Sequence, residues 1–180
     1  MMLDSDKALS KQFVVISQRL LRFAESCLQN IPHWDRKLLH LSWSIGDFYS
    51  KTGDLYPALQ IYELMERMAT ELIQANPKNV DLLYDHAVSY SKLGSTHSSL
   101  GNLSKALEYF EERSRLGEEL YRSYPDNVSL KNGLAIAHWK LGDFYREKQK
   151  NPQQARHYFQ LAEQYWSELV ELAPDYTQFK

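Results

Sequence analysis

The chain has 180 residues, 43% of them apolar and 24% charged, with a net charge of −2. That length can bury one sizeable core. The charge excludes a generic nucleic-acid binder, which needs a basic stripe to displace counterions from phosphates, and it gives no polybasic signal for an anionic membrane. No apolar run reaches the roughly 20 residues that a membrane span requires.

In chain order, the apolar spacing predicts a first helix from Ser5 to Gln29, within an N-terminal element at 5–30. Its Cys27 is the one cysteine of the chain and reads as a small core residue. The lack of a second cysteine fits a reducing compartment. The segment Met1 to Asp6 lacks the basic and apolar regions of a secretion signal, so a cytoplasmic location is the default expectation.

Three helix pairs follow, at 33–51 with 54–75, 79–99 with 102–124, and 127–149 with 151–173. Gly53 and Gly101 suit the left-handed backbone that ends a helix. Asp54, Asn102 and Asn151 come next and are expected to cap orphan amides. Pro57 and Pro152 fall in a first helical turn, where a missing N–H costs little. The Asn76–Asn79 and Tyr124–Asn127 segments end one pair and cap the next. No strand pattern competes. The expectation is an all-α chain of about seven helices forming a single domain over 1–180.

The pairs are copies of one pattern. Copy one, at 33–77, reads Ile45-Gly46, Tyr49, Ala58, Tyr62, Pro77. Copy two, at 79–125, reads Leu93-Gly94, His97, Ala106, Phe110, Pro125, and copy three, at 127–174, reads Leu141-Gly142, Tyr145, Ala155, Phe159, Pro174. The step from Gly46 to Gly94 equals the step from Gly94 to Gly142, and the Ala-to-Pro spacing is the same in every copy. A fixed period of this kind means stacked units, none of which buries its apolar face alone. Gly46, Gly94 and Gly142 lack a Cβ and face Ala58, Ala106 and Ala155, so two helices can approach closely. Tyr62, Phe110 and Phe159 fill the space beside that contact.

These residues resemble the tetratricopeptide repeat, whose signature is W-x2-L-G-x2-Y, then A-x3-F, then P. Ser42, Tyr90 and His138 stand where the signature has Trp, His97 replaces a Tyr, and Lys150 replaces the Gly of the other copies after one extra residue. The period is longer than the common one of about 34 residues. Seven of the added residues lie between Ala and Pro, about two helical turns, so the apolar face keeps its phase. This is similar to a long-helix variant of the family. The resemblance implies an α-solenoid, a right-handed superhelix of antiparallel helix pairs whose first helices line a concave groove. It implies a protein-binding module and no enzyme, and no cofactor is called for.

On the first helices, Leu41, Ile45, Phe48 and Tyr49 of copy one and Leu141, Phe144 and Tyr145 of copy three share the core face. Opposite them stand Trp43, Asp47 and Ser50 in copy one, Ser91, Ser95 and Ser98 in copy two, and Trp139, Asp143 and Arg146 in copy three. In the family this face lines the groove, which makes these nine the candidate partner-binding residues. Trp beside Asp suits a protein or peptide partner with apolar and basic residues. A second reading of Trp43 and Trp139 has them folded between adjacent copies as core. The family's best-known peptide clamp holds a C-terminal carboxylate with Lys, Asn and Arg on this face. Asp47, Ser95 and Asp143 stand where it has Asn, and two carboxylates would repel such a ligand.

The last helix places Ala155, Phe159, Ala162, Trp166 and Val170 on one face, and Tyr158, Leu161, Tyr165 and Leu172 along its flank. Terminal solenoid helices normally turn a polar side outward. The alternative function is therefore self-association or intramolecular assembly, with Tyr158, Leu161, Tyr165 and Leu172 as the docking face. Asp175-Tyr176-Thr177 looks like the start of a further unit, so a longer array is expected. The six histidines form no metal-ligand spacing, and no phosphate loop or nucleophile elbow is present.

Overall fold

The computed structural model describes residues 15, 19 and 35–172, with the side chain of Leu172 outside that set. Val15 and Arg19 are helical. The rest of the expected first helix, Cys27 and the 175–177 segment lie outside the described residues.

Among the described residues the chain forms six helices and no strand. They are α1 (Arg36–Thr52), α2 (Leu55–Ala75), α3 (Val80–Ser99), α4 (Leu103–Ser123), α5 (Val128–Glu147) and α6 (Pro152–Leu172). Each helix packs on the one before and the one after it, and α3 also touches α5. This is the all-α solenoid that the period implies.

The hairpins close as their small residues dictate. A Cβ on Gly46 would lie 2.5 Å from the Tyr62 ring, one on Gly94 2.8 Å from Phe110, and one on Gly142 2.7 Å from Phe159. Real Cβ atoms do not come that close, so each glycine is a seat for the aromatic of its own hairpin. Ala58, Ala106 and Ala155 are buried against the same contacts. Leu41, expected on the core face, is instead 48% exposed.

The caps follow two patterns. Asp35, Asn79 and Asn127 open α1, α3 and α5, and their side chains accept the backbone N–H of Leu38, Leu82 and Leu130. Asn151 caps α6 by accepting from Gln154 at 3.1 Å. Asp54 and Asn102 occupy the cap positions of α2 and α4 but make no capping bond. Their backbone is not extended, which turns the side chains away from the helix ends. Asp54 accepts from the Thr52 hydroxyl, and Asn102 pairs with the His97 ring. Gly53 and Gly101 are left-handed as expected, and Lys150 takes the same backbone sign at φ 52°. The extra residue of copy three is absorbed here: the Asn151 amide reaches Tyr145, whereas Asp54 and Asn102 reach Tyr49 and His97, one position nearer in sequence.

Candidate functional site

A groove runs along the first helices. Its upper cleft, of about 390 Å³, is walled by α1, α3 and α5, with Tyr62 of α2 and Arg113 of α4 at its floor. Trp43, Asp47, Ser50, Ser91 and Ser95 line it. A lower cleft of about 240 Å³ is lined by Ser95, Ser98, Trp139 and Asp143 among others. Eight of the nine expected groove residues thus meet in two adjoining hollows. Arg146 does not line either of them. Its guanidinium lies 5.4 Å from the Phe159 ring centre and pairs with Asp143 at 2.6 Å and Glu147 at 2.9 Å.

The two tryptophans differ. Trp43 is half-buried, and its indole N–H donates to Asp47 at 3.0 Å. Trp139 is 43% exposed, and its indole N–H has no partner among the described residues. Trp139 is the open aromatic surface of the groove.

Asp47 is already occupied. It accepts from the Lys92 ammonium at 2.6 Å, the Tyr62 hydroxyl at 2.6 Å and Trp43. Burial by itself would raise its pKa, but the hydrogen bonds from Lys92 and Tyr62 outweigh that and hold it below the usual carboxylate range. Asp143 is likewise paired with Arg146. The repulsion these acids would exert on an anionic ligand is therefore cancelled from within the fold.

Sequence reading missed the cations of the groove. Lys92 and Lys140 hold the same place in successive copies, and each reaches back across the junction to the preceding copy. Lys92 finds Asp47; Lys140 finds only the Ser95 hydroxyl, at 3.1 Å. Burial, and then the neighbouring Lys92, lowers the pKa of Lys140. Arg113 is 3% exposed and donates to the Gly133 carbonyl at 3.0 Å, and its Nε has no acceptor. Burial pushes it down to about 10, so it stays charged at neutral pH. Its guanidinium lies 5.7 Å from the Tyr84 ring centre. Gly117 and Gly133 make the space: a Cβ on either would sit 3.1 or 3.0 Å from the guanidinium nitrogens. One signal was available. Arg113 stands one full period after Met65, which is fully buried, so the copies in register show an arginine at a core position.

The family model described as tetratricopeptide repeat matches residues 87–112. The chain carries a tetratricopeptide repeat. The matched span, from the later part of α3 to the first half of α4, holds Lys92, Gly94, Ser95, Ala106 and Phe110. No curated protein matches the chain. Among the described residues, no group of three His, Cys, Asp or Glu side chains is placed to hold a metal, and no helix is long and apolar enough to cross a membrane.

The expected docking flank of α6 is placed differently from a free end face. Tyr158 is half-buried and stacks on Tyr145 at 5.6 Å, and Tyr165 is half-buried against His138 and Tyr121. Both rings serve packing against α4 and α5. Leu161 is half-buried, and Leu172 has no described side chain. Trp166 donates to Asn132 of α5 at 3.0 Å.

Proposed function

We propose that the chain is a protein-interaction module that seats a peptide or short helix of a partner in the groove of α1, α3 and α5. Its long period reads as the long-helix form of the tetratricopeptide repeat. The observation that carries the proposal is the pair of adjoining clefts with Trp139 exposed at their edge. A solvent-facing Trp in a preformed hollow is a typical interface anchor. A rigid wall also lowers the ordering cost of binding. The test is selection of peptides from a random display library on the immobilised chain, followed by titration against Trp139→Ala. The expected result is a recurrent motif whose affinity falls at least about tenfold in the variant, with helicity and melting temperature unchanged. Selected peptides that bind the variant equally well would overturn the groove as the site.

A further inference from the structure

Besides the exposed Lys51, the upper cleft is lined by two cations withdrawn from solvent that the fold does not pair with an acid, Lys140 and Arg113. At the junction of copies one and two, Lys92 has the carboxylate of Asp47. At the junction of copies two and three, the same lysine position is Lys140, and the residue in the place of Asp47 is Ser95. A hydroxyl accepts one hydrogen bond from an ammonium and supplies no charge. Arg113 adds a second cation where copy one has Met65. Among the described residues neither Lys140 nor Arg113 makes an ion pair. Arg113 is more than nine-tenths buried, with Nε unmatched.

Burying a charge without a partner is costly, and such groups are ordinarily paired. The chain leaves room for this one with Gly117 and Gly133, both buried: a Cβ on either would come closer to the guanidinium than ordinary van der Waals contact. The walls beside it are apolar or aromatic, from Tyr84, Val88 and Ile136. The carboxylate that lines this cleft, Asp47, is already taken by Lys92, Tyr62 and Trp43, so none is left for Lys140 or Arg113, and the apolar walls offer the surface on which an aliphatic stem lies.

Resting on the reading of the groove as a peptide seat, we propose that the cleft between copies two and three takes an aspartate or glutamate side chain of a partner peptide, with its carboxylate bound between Lys140 and Arg113 and flanking apolar residues on Tyr84, Val88 and Ile136. This reverses the ligand charge that the Trp–Asp pairs suggest by themselves. It also differs from a clamp built on the first helices alone, because Arg113 comes from α4, the second helix of its pair. A guanidinium and an ammonium in a partly dry cleft bind carboxylate more strongly than either does in water.

The test uses the whole chain and fluorescein-labelled decapeptides in which Glu alternates with Leu and Phe. Comparison peptides carry Gln or Lys in place of Glu, and each is made with a free and an amidated C-terminus. Anisotropy titration should show the Glu peptides binding at least tenfold more tightly than the Gln peptides, with affinity falling as salt rises. Amidation should have no effect, which separates a side-chain carboxylate from a chain terminus. Ser95→Asp, which gives Lys140 the partner that Lys92 already has, should remove that preference while the melting temperature holds or rises. Arg113→Met, the residue of copy one, should do the same. Equal binding of Glu and Gln peptides, a preference that Ser95→Asp leaves intact, or loss of binding on amidation would overturn the proposal. Preferred binding of the Lys peptides in a Trp139-dependent way would overturn it and leave the peptide-seat reading standing. If no peptide binds, both fall.

Discussion

The two junctions of this solenoid are built from the same register and solve the charge problem in opposite ways. Between copies one and two, the inward charges are answered: Lys92 by Asp47, and buried Asp85 by Arg36 at 2.6 Å with His40 at 3.2 Å. Between copies two and three, the position of Asp47 is Ser95, that of Asp85 is Gly133, and that of Met65 is Arg113. Three substitutions in register each remove a negative charge or add a positive one. The first junction is a finished internal contact. The second is a finished backbone contact with unfinished electrostatics. Repetition thus fixes where side chains meet and leaves open what they do there.

Changing pH separates the junctions most strongly. His138, at the second one, is 2% exposed, stacks on Tyr158 and Tyr165, and is bonded to Ser114. Burial, then His157 and Arg113, lowers its pKa to about 4. The unfolded chain takes that proton at about 6.5. Stability is therefore fully present above that pH and is lost as pH falls from about 6.5 to 4, by roughly 3 kcal/mol. Urea melts across this range should show the loss, and His138→Phe should remove most of it. An unchanged slope in the variant would place the effect elsewhere.

Asp47→Ser should turn the first junction into a copy of the second. Lys92, the Tyr62 hydroxyl and the Trp43 indole all lose their acceptor. Asp47 is half-buried, so the discounted cost is about 2 kcal/mol, read as a lower denaturation midpoint with an unchanged slope.

Arg113→Met makes the converse change and should raise stability by about 1–2 kcal/mol, because apolar replacement of an unbalanced buried charge is often favourable. Calorimetry would register it as a higher melting temperature. A fall would mean that the hydrogen bond to Gly133 outweighs the desolvation of the guanidinium.

The hairpins were legible because their determinants are local. Gly46 with Tyr62 and Gly142 with Phe159 lie within one pair of helices, so a short stretch of chain spells both halves of each contact. The caps were half legible. Asn151 caps as its position predicts, while Asp54 and Asn102 sit in a turn whose backbone angles aim them elsewhere. The groove residues on the outer face were placed by helical spacing. Their electrostatic state was not, because Lys92 and Lys140 belong to the next copy and act on residues far from them in sequence. Asp47 therefore looked like a free acid in sequence and is a neutralised one in the fold.

The order in which the helices touch has a kinetic consequence. Among the described residues each packs chiefly on its sequence neighbours, so few contacts join helices far apart in sequence. Loop closure stays short, and chains with such local wiring fold rapidly. During synthesis α1 and α2 can close on each other, Tyr62 over Gly46, before α5 exists. The cleft of copies two and three is completed only when α5 arrives with Gly133 and Lys140. The cleft therefore forms late, after the two earlier hairpins have closed and before α6 packs on α5.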